Sequence, residues 1–237
     1  MILVVNWPNR KSMSIKDLGI KYLCILRHPK WWFSGKNHVL SSKIRGWGSY
    51  DFHMEKSTVK KSNIKIIGRQ NQLSLNNCEI SNCNIFIRGE GHQLIVDKDV
   101  QLHNASIRII GWNNIIHFGS SSTVGSGQIV CGGKGISIQI GKDCMFSDEI
   151  DIWSTDTHSV LQDGVLINEP KSIIIGDHVW CGKGVTILKG VTIGDNAVIG
   201  MRSLVTKDIR PATLNVGSPI KEIRSGIEWT RTNPNNE

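Results

Sequence analysis

A chain of 237 residues with 28 Lys and Arg against 20 Asp and Glu can bury a full core as one large domain or two small ones. Its longest apolar runs, MILVV and YLCIL, fall far short of the roughly 18 residues that a membrane-crossing helix needs. MILVV also lacks a basic start and runs directly into NWPNRK, which argues against a secretory signal, so the expectation is a cytoplasmic protein. The six cysteines, Cys24, Cys78, Cys83, Cys131, Cys144 and Cys181, form no C-x-x-C pair and read as reduced, small interior residues rather than a disulfide or metal framework.

In chain order, residues 1–60 come first and do not repeat. They hold 11 Lys and Arg against 3 Asp and Glu, whereas residues 61–237 hold 17 against 17, so the whole net charge of +8 belongs to the first quarter of the chain. SIKDLGIKYLCILRH (14–28) reads as one helix ended by Pro29, with WWF following, and the segment carries four of the eight tryptophans and both tyrosines. Two readings follow: a cap over the open end of whatever comes next, or a basic, aromatic surface that contacts anionic lipid or an acidic glycan as a peripheral membrane or substrate contact. No nucleic-acid-binding motif accompanies the charge, so nucleic acid is not expected as a partner.

From residue 61 a repeat sets in. IKIIGRQNQLSL (64–75), IFIRGEGHQLIV (85–96) and IRIIGWNNIIHF (107–118) align on Gly68, Gly89 and Gly111, spaced 21 and 22 apart, with a degenerate fourth copy in QIVCGGKGISI (128–138). Then IGKDCM, FSDEID and IWSTDT (140–157) fall into hexads, and after an interruption the hexads resume at Ile175: IGDHVW, CGKGVT, ILKGVT, IGDNAV, IGMRSL, VTKDIR. A helix needs apolar spacing of three or four and a half-buried strand needs alternation; neither fits six unbroken hexads. The pattern predicts a solenoid in which each hexad is a short strand and a corner, and three make a triangular coil of about 18 residues. The first position points inward, and the fifth is small because it lies inside near a corner. About seven coils are expected over 61–214, with 215–237 as a C-terminal tail and a loop extruded at about 158–172.

IGDNAVIGMRSLVTKDI, then NVGSPIKEIR, resembles the hexapeptide-repeat acyltransferases over residues 61–224. TDTHSV, a short loop, and IIIGDHVWCGKGVTILKGVTIG resemble more narrowly the bacterial polysaccharide O-acetyltransferases that modify sialic acid capsules and O-antigens. The resemblance implies an all-β, left-handed parallel β-helix, a homotrimer with active sites between adjacent solenoids, acetyl-CoA as donor and a polysaccharide or sugar acceptor; no metal is expected, and a membrane contact through residues 1–60 would place the protein at the inner face of the membrane. It also places the family's catalytic histidine on His158 and its tryptophan on Trp180. Coenzyme contacts fall on Gly182 and Lys183, on Thr206 and Lys207, and on Lys221. Lys183 stands where many sugar acetyltransferases carry a small residue.

The residues themselves support parts of this. His158 stands at the next inward position after Ile152, where a coil should continue, yet the chain leaves for about fourteen residues; a rigid stack interrupted in this way makes a pocket. An imidazole, which ordinarily titrates near about 6.5, suits removal of a hydroxyl proton near neutrality. Trp180 offers a wall for a thioester arm and an indole N–H. Asp156, two residues before His158, is expected on the same side, to orient the imidazole or to accept a hydrogen bond from the sugar. Trp153 and Ser154 are candidate acceptor contacts. The other histidines, His28, His38, His53, His92, His103 and His117, read as solvent-facing or core residues, and His178 as meeting solvent or a neighbouring subunit. Cys144 and Cys181 fall on interior positions, which disfavours a covalent acyl-enzyme and favours direct transfer. Three alternatives stay open: N-acetylation of an amino sugar, a non-catalytic glycan-binding solenoid, and a zinc hydratase, the last lacking an H-x-x-x-x-H pair in the solenoid.

Overall fold

The computed structural model describes residues 2–5 and 30–232. The helix expected over 14–28 lies outside the described residues, and among the described residues there is no helix. Strands stack instead in parallel register on the three faces of a prism. The first face runs from Asn37–Leu40 through Thr58–Lys60, Glu79–Ser81, Gln101–His103, Thr123–Val124, Met145–Phe146, Trp180–Cys181 and Val198–Ile199 to Thr213–Val216. Successive turns are therefore 20 to 22 residues long in the N-terminal half, 35 where the loop is inserted, and 18 directly after it. The stack makes about eight turns of a left-handed parallel β-helix, one more than the sequence suggests.

The extra turn comes from residues assigned to the cap. Lys43–Glu55 pairs in parallel with Asn63–Asn76, setting Ile44 beside Ile64 and Gly48 beside Gly68. The repeat is hidden there because Gly46 takes the place of the inward residues Ile66, Ile87 and Ile109. The ring of Tyr50 occupies the space that a Cβ at Gly46 would need, and Tyr50 is itself buried. An aromatic on one side of the coil thus substitutes for an aliphatic on the other. The boundary drawn at residue 60 moves upstream to about residue 37, and Ile2–Val5 pairs antiparallel with Asn37–Leu40 at that end.

The core follows the hexad rule. First-position Ile175, Cys181, Ile187, Ile193, Ile199 and Val205 are buried, as are fifth-position Val179, Val185, Val191, Ala197, Ser203 and Ile209. Cys78, Cys83, Cys131, Cys144 and Cys181 are free and buried, and burial pushes the thiols of Cys78, Cys131 and Cys144 up to about 11. Glycines 48, 68, 89, 111 and 133 form one column at the edge between the second and third faces. Gly68, Gly89 and Gly111 each have positive φ and back onto the carbonyl of the next glycine in the column, so a side chain there would strike backbone.

Beside this column lies a polar ladder. The Asn71 Oδ1 accepts from the His92 N–H at 3.0 Å, the His92 Nδ1 accepts from the Asn114 N–H at 3.2 Å, and the Asn114 Oδ1 accepts from the Ile136 N–H at 2.8 Å. Each side chain satisfies a backbone donor that the longer corner would otherwise leave orphaned inside. His92 is therefore a core residue.

Candidate active site

The loop leaves the prism at the end of Ile150–Trp153, a strand of the second face whose Ile150 and Ile152 point inward and are buried. Ser154 closes its neck. The Ser154 N–H donates to the Val130 carbonyl at 3.0 Å, its own carbonyl accepts from the Lys171 N–H at 3.0 Å, and its Oγ accepts from the Gly132 N–H at 3.2 Å. The expected acceptor contact at Ser154 is thus corrected: the side chain is fully buried and its hydroxyl is engaged with backbone. Residues 155–170 protrude, so the neck lies slightly earlier than the expected 158–172. At the tip, Leu161–Gln162 and Val165–Leu166 pair antiparallel across Asp163 and Gly164, both at positive φ, as an Asp-Gly hairpin turn requires.

His158 sits in the ascending arm, directly after Thr157, whose φ of 62° turns the backbone outward. Its ring is exposed, with no hydrogen-bond partner among the described residues. Its backbone is held. Asn168 donates from Nδ2 to the His158 carbonyl and to Asp156 Oδ2, both at 2.8 Å, and its Oδ1 accepts from the Val160 N–H at 2.7 Å. Lys189 donates from Nζ to Asp156 Oδ2 and to the Asn168 carbonyl, the latter at 3.0 Å. The Lys189 hydrogen bond holds the Asp156 carboxyl below the usual carboxylate range. Asp156 therefore does not orient the imidazole: its carboxylate belongs to a clasp of Lys189 and Asn168 that ties the two arms of the loop to the coil below. Trp153 lies outward and half-buried at the loop's root, in register with Val130 and Leu188.

Stacking gathers further residues along the same prism edge. Lys189 follows Thr186–Leu188, and Thr206 and Lys207 follow Leu204–Val205, each leaving the second face at the corner from which the loop emerges. Lys207 is exposed and lies near enough to Glu222 to lower its carboxyl, a smaller effect than the hydrogen bond from Arg210. Lys221 begins the exposed strand Lys221–Ser225, antiparallel to Thr213–Val216. Lys183 is engaged otherwise, its Nζ 3.0 Å from Glu149 Oε1. At Gly182 an added Cβ would lie 2.9 Å from the Met201 nitrogen, so close stacking of coils accounts for that glycine.

Trp180 is not beside His158 in one chain. It lies on the first face, which the loop edge does not border, in register with Met145 and Val198. Its neighbour is Trp229, with ring centroids 5.9 Å apart. Trp229 also stacks on His178 at 4.0 Å and donates from Nε1 to the His178 carbonyl at 2.8 Å. His178, expected to meet solvent or another subunit, is instead fixed between Trp229 and Asp143, its Nδ1 2.7 Å from Asp143 Oδ2. Arg231 completes this strap by donating to Asp143 Oδ1 at 2.7 Å and to the Cys144 carbonyl at 2.8 Å. Burial pushes the Asp143 carboxyl up, but the hydrogen bonds from Arg231 and His178 outweigh it and leave the group below its ordinary value.

Sequence reasoning missed Asn168, Lys189, Trp229 and Arg231. Lys189 stands at a third hexad position that carries Lys again at Lys183 and Lys207, so nothing in the repeat singles it out, and the other three stand in non-repeating segments. The exposed apolar residues Val160, Leu161, Val165 and Ile167 share the loop, and Trp180 and Met201 lie exposed elsewhere on the stack.

A sequence profile of the bacterial transferase hexapeptide family (six repeats) matches residues 172–207. The chain is 36% identical over 137 residues to the polysialic acid O-acetyltransferase of Neisseria meningitidis, an alignment covering 56% of this chain and 63% of that protein. It thus spans just under two thirds of that relative's length. Its fold superposes on the polysialic acid O-acetyltransferase OatWY with a TM-score of 0.74 at 29% identity, covering 84% of this chain and 92% of the other. The polySia-specific acetyltransferase NeuO gives 0.68 at 27% identity, covering 87% and 89%. In its hexads, its parallel three-faced stack and these relatives, the chain is similar to the bacterial hexapeptide-repeat transferases.

Proposed function

We propose that the protein is an acetyl-CoA-dependent O-acetyltransferase that acts on a sugar hydroxyl of a bacterial surface polysaccharide or its precursor. The observation that carries this reading is the placement of His158: a histidine at the stack's one long interruption, its backbone clasped by Asn168 and its ring left free. The polysialic acid specificity of the relatives points to the acceptor class.

The coenzyme, when bound, supplies an activated acetyl thioester. Thr206, Lys207 and Lys221 fit its phosphates, since Lys207 and Lys221 are exposed and form no ion pair among the described residues. Gly182 borders the same coils, whereas Lys183, tied to Glu149, is available only if that pair opens. His158 takes the proton of the acceptor hydroxyl as its oxygen forms the new bond to the acetyl carbon, and then returns that proton to the departing sulfur. Trp180 walls the thioester arm, and Trp153 offers a face to the sugar ring.

His158 and Trp180 occupy different faces of one solenoid, so the site is completed by a second copy of the chain. The apolar hairpin at the loop tip, exposed in a single chain, supplies a surface for that contact, and a homotrimer closes the arrangement. The test is acetyl transfer from acetyl-CoA to purified surface polysaccharide, with base-labile ester identified by mass spectrometry. His158→Ala should lower turnover by about 10²–10⁴-fold while coenzyme binding persists; an undiminished rate would refute the assignment of the base.

A further inference from the structure

Two cations of the N-terminal quarter, Lys43 and Arg45, join Lys65, Arg88 and Arg108 of the following coils on one surface of the stack. On the second face Arg45, Lys65, Phe86 and Arg108 stand outward in register on four successive strands, and the same register continues through Val130, which is covered, to half-buried Trp153. Lys43 precedes Arg45 by two positions and Arg88 follows Phe86 by two, which keeps both on the same outward surface. The strip therefore carries five cations, Lys43, Arg45, Lys65, Arg88 and Arg108. Among the described residues none of them is paired with a carboxylate. The outward positions of this face hold no Asp or Glu between Lys43 and Ile110; Glu90 stands at its edge, and Asp151 is reached only on the sixth strand. The aromatic residues are interleaved with the cations: Lys65 Nζ lies 5.5 Å from the Trp47 ring centroid and 5.7 Å from that of Phe86. A shallow cleft of about 300 Å³ opens between Lys65, Phe86, Arg108 and Ile110.

Like charges on adjacent strands repel, at roughly 4.8 Å strand spacing. Folding does not require them, because the inward residues alone fill the core. Such a strip is matched by a polyanion. Its direction points to which one: it runs along the prism axis to Arg108, two strands short of Trp153, the residue before the loop neck. A linear chain laid along it is delivered to His158. Cations that meet carboxylates, alternating with aromatic faces that meet sugar rings, suit an acidic polysaccharide better than a lipid surface, which needs charge without stacking.

We propose that this strip is a binding track for an extended acidic polysaccharide and feeds the polymer toward the loop. The proposal rests on the acetyltransferase reading only for the direction of feed; binding itself is independent of it.

The test uses the full chain and polysialic acid as probe. Affinity electrophoresis through gels containing polysialic acid, without acetyl-CoA, should retard the wild-type protein, and neutral dextran should not. Arg45→Ala/Lys65→Ala/Arg88→Ala/Arg108→Ala should bind about tenfold or more weakly and lose most of the salt sensitivity of binding. Arg45→Lys/Arg88→Lys/Arg108→Lys, which keeps the charge, should stay within about threefold of wild type. Circular dichroism melts and sedimentation show whether both variants keep the fold and assembly; the single variant Arg108→Glu serves if the quadruple one does not fold, and should also weaken binding.

With transfer as readout, the quadruple variant should raise KM for the polymer and leave the rate on a sialic acid dimer unchanged. Retardation of wild type in a protein that transfers no acetyl group would support the track and refute the enzyme. Three results would overturn the track: undiminished retardation of the quadruple variant, dissociation of the assembly on neutralising the strip, or wild-type binding to phosphatidylglycerol vesicles but not to the polymer.

Discussion

Asn168 and His158 are joined through the backbone: the Asn168 Nδ2 donates to the His158 carbonyl at 2.8 Å across the base of the extruded loop. One side chain thereby fixes the height at which the imidazole stands. Asn168→Ala removes that donor, the bond to Asp156 and the acceptor for the Val160 N–H. The expected outcome is a fall in kcat of about 10–100-fold with KM for acetyl-CoA within about twofold and a melting temperature nearly unchanged. An unaltered kcat would show that this clasp does not position the base.

Asp156 and Lys189 support the same arm. Asp156 has a lowered folded pKa, so its contribution is present above the ordinary carboxylate value near about 3.9 and is lost only as pH falls through the lower folded value. The clasp should then hold across the whole neutral range. Asp156→Asn and Lys189→Met should each reduce kcat, and the double variant should cost no more than the larger single effect, because either change breaks the same pair. Additive losses in a double-mutant cycle would mean that the two residues act separately.

The separation of His158 from Trp180 gives a subunit-mixing test. His158→Ala and Trp180→Ala proteins should each be nearly inactive alone. Co-expression should recover activity at about a quarter of all sites, one in each mixed trimer, since random assembly pairs an intact histidine with a neighbour's intact tryptophan that often. No recovery would place both residues in a site within one chain, or in none.

The C-terminal strap should report on Asp143. Arg231 makes hydrogen bonds to Asp143, Thr123 and the carbonyls of Ser121 and Cys144. Arg231→Ala is expected to cost about 1–3 kcal/mol and to change the fluorescence of Trp229 and Trp180. Because the folded pKa of Asp143 is lowered, the strap's ionic contribution is present above the ordinary carboxylate range and disappears as pH falls below it. Fluorescence should therefore shift in wild type below about pH 4 and be flat in Arg231→Ala.

His92 predicts a different pH dependence. Burial lowers its pKa, more than the hydrogen bonds to backbone raise it. A histidine held neutral stabilises the fold above its unfolded pKa of about 6.5, and that contribution is lost as pH falls toward the folded value. His92→Asn, which puts there the residue found at positions 71 and 114, should fold and should melt with a weaker pH dependence between pH 7 and 5 than wild type. Equal slopes would show that the ladder does not sense protonation.

The sequence by itself determined the solenoid, its hexad register and the position of its interruption. A first-position aliphatic such as Ile187 and a fifth-position residue such as Ala197 are dictated by neighbours one coil away, so the packing constraint repeats locally and is written as a period. The first coil escaped because Tyr50 and Gly46 exchange volume across the coil and break the pattern without breaking the fold. Only the tertiary structure decided that Ser154 turns inward to close the neck, that Asp156 serves the loop rather than the imidazole, and that Trp229 reaches Trp180. It alone also aligned Arg45, Lys65 and Arg108 on one face. Lys189 reaches Asp156 across 33 positions and Arg231 reaches Ser121 across 110, and such contacts carry no period, because each is made once, by chain segments that meet only after the coils have stacked.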